Sequence, residues 1–279
     1  MNIYVNGDSY TVGSELPDWV LPGFPGYRQD DTLPGNPMAK VSKKTIEWYA
    51  RRKKVASEYF GSIENYRRAE QDLAWPSGLH KINPKLLVHN GSKSGASMAG
   101  ITHRTIADLL THKVKGIMFD RVFIQVTSCQ RFEIYDATMP REKFIVDKAV
   151  GWVDTLPNKT QRELGNCYVA QYKDEDYAIK FLYNLCTLKQ AVKGLTGYEP
   201  IILSSTLLST NGIIYPLKNN PDPLIQLLLK ESGILDIPYE CCMSTVHMDN
   251  NFLFCPGLHF EHRTHQEYAK IIYNKYIQL

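Results

Sequence analysis

Short, nearly uninterrupted apolar runs alternate along this chain with segments of helical periodicity. The runs are "NIYVN" at 2–6, "KLLVHN" at 85–90, "DRVFIQVTS" at 120–128 and "EPIILSSTLL" at 199–208. Between and after them come "ITHRTIADLLTHK" at 101–113, "DEDYAIKFLYNLCTLKQAVKGL" at 174–195 and "HQEYAKIIYNKYIQL" at 265–279, each read as a helix. A strand with apolar residues at consecutive positions needs cover on both faces, and strands separated by helices pair in parallel. The alternation predicts an α/β fold, a three-layer α/β/α sandwich around a mostly parallel sheet.

In an open sheet of this kind, ligands bind beyond the carboxyl ends of the strands. The segments to read are therefore Gly7-Asp8-Ser9, "NGSKSGAS" at 90–97, "TSCQRFE" at 127–133 and "PGLHFEHRTH" at 256–265. Ser9 sits where the first strand hands over to the next element. That is the place for an exposed nucleophile, and equally for a turn or a helix cap. Gly95 allows close approach of backbone to a substrate, so that its N–H can donate to an oxyanion; a plain glycine-serine loop is the other reading. A serine nucleophile needs a histidine or carboxylate as its base, and His259 precedes the final helix, with His265 near its start. His259, His262 and His265 lack H-E-x-x-H or Cys/His ligand spacing, so no metal is expected.

Residues 15–37 carry five prolines and three glycines and read as a loop, yet Trp19, Phe24 and Tyr27 need something to pack on. Residues 39–73 read as helical, with stripes at Ile46, Tyr49, Ala50 and at Tyr59, Phe60, Ile63, and with the basic cluster Arg51–Lys54 facing out. The 279 residues are read as a single domain, 1–279, with 15–74 as a Pro-rich and helical insertion. A net charge of +3 is too small to argue for a nucleic-acid partner. No run approaches the ~20 apolar residues of a membrane helix, and the first thirty residues show no signal-peptide pattern. Cys129, Cys167, Cys186, Cys241, Cys242 and Cys255 form no C-x-x-C pair or disulfide framework. The expectation is buried free thiols in a protein made in a cytoplasm.

Taken in order, "NGDSYT", "NGSKSGAS" and "GLHFEHRTHQEYAKII" resemble the first, second and last blocks of the SGNH (GDSL-type) hydrolases. With "AWP" at 74–76 before the second strand, the combination is most similar to phage-encoded members. The resemblance covers 1–14 and 75–279. It implies a flavodoxin-like sandwich and a cofactor-free serine esterase acting on an acetyl or short-acyl ester, plausibly on carbohydrate. By the same resemblance Ser9 is the nucleophile, Ser9 and Gly95 give N–H groups to the oxyanion, and His259 is the general base.

Two positions depart from the family. Its Gly-x-Asn-Asp block is replaced by Thr127-Ser128-Cys129-Gln130-Arg131, where Gln130 or Arg131 carries the N–H donors that the missing Asn would supply. Its aspartate three residues before the histidine is replaced by Pro256, which leaves Asp249, Glu261 or a backbone carbonyl to orient His259. Loss of a triad acid costs about 10⁴ in rate in the serine proteases. The alternative is a non-catalytic structural or glycan-binding protein of a phage virion, with other virion proteins as partners.

Overall fold

The computed structural model describes residues 1–14, 16–17, 51, 54–135, 145–149, 153, 156, 159–171, 173–205, 214–250 and 259–278. Its centre is a four-stranded parallel sheet in the order β2-β1-β3-β6. The strands are β1 (Asn2–Asn6), β2 (Leu87–Asn90), β3 (Arg121–Val126) and β6 (Ile201–Ser204). The helices are α1 (Ser9–Val12), α2 (Ile63–Leu73), α3 (Trp75–Ile82), α4 (Met98–Val114), α5 (Lys159–Gln171), α6 (Asp174–Thr196), α7 (Pro223–Ser232), α8 (Met243–Asp249) and α9 (His262–Tyr276). Strands β4 (Arg131–Tyr135) and β5 (Ile145–Ala149) form a separate antiparallel pair.

The apolar runs are continuous because each strand feeds two cores. On one face Tyr4, Val122, Ile124 and Val126 pack with Ile101 and Leu109 of α4, Leu182, Leu185 and Leu188 of α6, and Ile225 of α7. On the other, Ile3, Val5, Phe123 and Leu203 pack with Trp75 and Leu79 of α3, Met243 of α8, and Tyr268 and Ile272 of α9. The register Tyr4↔Val122 and Val5↔Phe123 places like-facing residues side by side. Helices thus cover both faces, and the fold is the expected three-layer α/β sandwich. Ser204 pairs in parallel with Cys242, so a short stretch before α8 covers the outer edge of β6.

Three expectations need correction. The helix read over 39–73 is interrupted: residues 54–60 are helical, then Gly61 takes φ 74 and Ser62 starts α2 by accepting from the N–H of Asn65 at 3.1 Å. A left-handed glycine followed by a serine cap ends one helix and begins another. Tyr59, placed on an apolar stripe, is 47% exposed, while Phe60 and Ile63 pack on Ala56 and Tyr66. Among the cysteines, Cys167 is exposed rather than buried, and Cys129, Cys241 and Cys242 are buried free thiols. Arg51 and Lys54 are exposed as read. Trp19, Phe24, Tyr27, Ile46, Tyr49, Ala50, Cys255, Pro256 and most of 15–53 lie outside the described residues.

Candidate active site

The turn after β1 is built on contacts that admit only glycine at its first position. A Cβ on Gly7 would stand 2.0 Å from Thr11 Oγ1 and 3.1 Å from the carbonyl oxygen of Gln125. Asp8, fully buried, then starts α1: its Oδ1 accepts from the N–H of Tyr10 at 3.1 Å. Its Oδ2 accepts from the Thr127 hydroxyl at 2.8 Å and faces Arg131 Nη2 at 3.5 Å. Ser9 is the first residue of α1 and is 4% exposed. A left-handed Gly13 (φ 79) closes the turn.

The segment after β2 lies along this turn. Gly91 N–H donates to the Val5 carbonyl at 2.9 Å and Lys93 N–H to the Gly7 carbonyl at 3.2 Å, continuing the parallel pairing past the end of the strand. The Ser14 hydroxyl meets that of Ser94 at 3.2 Å. Gly95 has φ 82, a left-handed conformation that glycine adopts without cost. Ser97 ends the loop by accepting from the N–H of Gly100 at 2.9 Å, and its hydroxyl donates to Glu133 Oε2 at 3.0 Å.

The segment after β3 reaches both. Arg131 Nη1 donates to the Ala96 carbonyl at 3.4 Å while Nη2 faces Asp8. Gln130 turns elsewhere, its amide donating to Asp174 Oδ1 at 3.0 Å at the start of α6. Strand β4 alternates: Arg131 and Glu133 face these loops, while Phe132 and Ile134 pack with Val153 and Leu156. Glu133 pairs with Lys180 at 3.6 Å. Burial pushes the Cys129 thiol up to about 12, which removes it as a nucleophile at neutral pH.

The tail closes over α1. The His259 ring lies 5.2 Å from that of Tyr10, the residue after Ser9, and Phe260 lies 4.9 Å from the same ring. His247, on α8, is 4.9 Å from Phe260 and hydrogen-bonds through Nδ1 to the Thr264 hydroxyl at 2.9 Å. Glu261 is 1% exposed, and Arg263 Nη2 donates to it at 2.8 Å. Asp249 is exposed and accepts from the Tyr239 hydroxyl at 3.1 Å. Burial lowers the pKa of His247 and His262, and the Glu261 charge opposes the shift in both. Burial holds His265 well below its ordinary value, helped by the neighbouring His262 and His259.

Sequence reasoning gave no role to the residues that tie these parts together. Trp75 donates its backbone N–H to His265 Nδ1 at 3.2 Å and its indole N–H to Gln125 Oε1 at 3.0 Å. The Thr11 hydroxyl donates to the same Gln125 oxygen. Trp75, Gln125 and His265 therefore join α3, β3 and α9 beneath α1. "AWP" pointed at Trp75 and the last motif block at His265, while nothing in the sequence pointed at Gln125. Among the described residues no three His, Cys, Asp or Glu side chains are grouped to hold a metal, and no described helix is long and apolar enough to cross a membrane.

Fold and site geometry together define an α/β sandwich with a Gly-Asp-Ser turn, a glycine loop and a histidine tail at the carboxyl ends of its central strands. No family model matches the chain and no curated protein is similar to it. Similar solved structures include a member of the lipolytic protein G-D-S-L family from Veillonella parvula, 12% identical over 100% of both chains with a TM-score of 0.42. Another is an alpha/beta hydrolase enzyme from the metagenome of Lake Arreo, Spain. It is 13% identical over 98% of this chain and 93% of that chain, with a TM-score of 0.42.

Proposed function

We propose that the protein is a serine ester hydrolase. The observation that carries this reading is the packing of the His259 ring on Tyr10, directly after Ser9, while the Gly95 loop is hydrogen-bonded to the Gly7 turn through Lys93. In the proposed reaction, the Ser9 hydroxyl attacks the acyl carbon and passes its proton to His259. The N–H groups of Ser9 and Gly95 hold the resulting oxyanion. Collapse expels the alcohol, which takes the proton from His259. Water then attacks the acyl-serine with His259 again as base, and the acid leaves as Ser9 regains its proton. The carboxylate we assign to orient the imidazole is buried Glu261, which Arg263 also engages, with exposed Asp249, held by Tyr239, as the alternative. The substrate class is an acetyl or short-acyl ester, with a carbohydrate as the alcohol.

The burial of Ser9 favours a second reading, a structural or glycan-binding protein, such as a virion component, that keeps the fold without turnover. The test is hydrolysis of 4-nitrophenyl acetate by wild type beside Ser9→Ala and His259→Ala. The esterase reading expects both variants to lose turnover by ~10³-fold or more while remaining folded. Equal rates for wild type and Ser9→Ala exclude it.

A further inference from the structure

Arg131 stood as a candidate oxyanion donor in place of a missing asparagine. Its guanidinium is already committed. The side chain is 16% exposed, with Nη2 at 3.5 Å from Asp8 Oδ2 and Nη1 donating to the Ala96 carbonyl at 3.4 Å. Asp8 in turn starts α1 through Tyr10 N–H and receives the Thr127 hydroxyl. Ala96 immediately follows Gly95, and its own N–H donates to the Lys93 carbonyl at 3.2 Å. One planar cation therefore touches the residue before Ser9 and the residue after Gly95.

We infer that Arg131 is a positioning residue that sets the spacing between the Ser9 turn and the Gly95 loop, the two sources of oxyanion N–H groups. This rests on the esterase reading of those two positions. A guanidinium suits the task because its two Nη groups diverge in a fixed plane, one for a carboxylate and one for a carbonyl. A lysine keeps the charge beside the buried carboxylate, but its single nitrogen cannot occupy both Nη positions. Strand β4 aims the group. Its neighbour Phe132 is fully buried and stacks on Tyr168 with ring centroids 4.7 Å apart, and Glu133 is held by Ser97 and Lys180. Arg131 is thus fixed at its root by one core and at its tip by two loops.

The test compares wild type with Arg131→Lys and Arg131→Met by amide hydrogen exchange and by 4-nitrophenyl acetate kinetics. Misplacement of an otherwise complete site lowers kcat, by ~10²-fold for shifts of the order of an ångström. The expected result for Arg131→Lys is a kcat lowered about 10- to 100-fold at unchanged KM. Exchange at Tyr10 and Ala96 rises about tenfold or more, while the amides of α6 keep their wild-type protection. A fall in kcat with unchanged exchange at Tyr10 and Ala96 identifies Arg131 as a direct oxyanion donor and overturns the inference. Wild-type kcat in Arg131→Lys overturns it as well, as does faster exchange spread evenly over the whole chain. Arg131→Met is expected to show the same local pattern more strongly. If wild type and Ser9→Ala are equally inert, the esterase reading fails on its own. The exchange data then decide whether Arg131 holds the two loops together.

Discussion

The backbone N–H of Trp75 donates to Nδ1 of His265 at 3.2 Å, which fixes the ring as the neutral tautomer with its proton on Nε2. His265 is completely buried, and its folded pKa lies well below 6.5. Above pH 6.5 the ring is neutral folded and unfolded, so it contributes no pH dependence. Below it, the unfolded chain takes up a proton that the native chain refuses, and stability falls as pH drops toward the depressed folded value. Urea unfolding between pH 8 and 5 should show this acid-side loss, with a limiting slope of about 1.4 kcal/mol per pH unit for one such group. His265→Asn, which retains an acceptor for Trp75, should flatten the slope. Parallel curves for the two proteins would reject the assignment.

Trp75 itself should be costly to change. It is fully buried between Phe123 and Tyr268, at ring separations of 6.4 and 5.5 Å. Trp75→Phe loses the indole bond to Gln125 and should cost about 1–2 kcal/mol. Trp75→Ala leaves a cavity and should cost about 3–5 kcal/mol. Chemical denaturation of the two variants checks the order.

The two glycines of the site should respond differently to alanine. At Gly7 the new methyl group meets Thr11 and a backbone oxygen, so Gly7→Ala should lower stability by about 2–3 kcal/mol or prevent folding. At Gly95 there is nothing within 4 Å of a Cβ, but φ is 82; the strain there is about 1–2 kcal/mol. Gly95→Ala should fold, melt slightly earlier and lose ester turnover. Full turnover in a folded Gly95→Ala protein would remove that loop from the oxyanion site.

Thiol labelling should separate the cysteines. Exposed Cys167 should react with a maleimide in the native state at pH 7.5. Cys129, buried and with its thiol pushed up to about 12, should react only after unfolding. Mass spectrometry of peptides labelled with and without urea reads both. Native-state labelling of Cys129 at the rate of Cys167 contradicts the burial described.

The sandwich was legible because β1 and β3 are covered on both faces, which forces consecutive apolar residues in "NIYVN" and "RVFIQV". Helices α4, α6 and α9 carried their own periodicity, and each extends a few residues beyond or short of the segment expected. The β4–β5 pair was passed over. Arg131 and Glu133 look like loop polarity until Phe132 and Ile134 are known to share a core. Helix α7 had a readable start in Asp222-Pro223, where Asp222 accepts from the Leu224 N–H at 2.8 Å. At the candidate site, Ser9, Gly95 and His259 were proposed through motif order. Gln125 and His247 were not, because a buried polar residue inside an apolar run has no periodic mark. Its meaning lies in a partner far along the chain, such as Trp75 or Thr264.

Strand β4 makes one further demand on this protein. Its pairing with β5 sets Arg131 opposite Ala149 and Glu133 opposite Asp147, and side chains along a strand alternate between faces. Slippage by a single residue would turn Phe132 and Ile134 toward Asp8 and the Gly95 loop, and Arg131 and Glu133 into the small core around Leu156. An insertion or deletion of one residue at 131–134 would therefore replace the cation beside Ser9 with a phenyl ring while leaving the four-stranded sheet intact. Reading frame along this one ribbon becomes a chemical variable: a one-residue change swaps the two faces, and a two-residue change restores the faces but leaves a different residue in the place of Arg131.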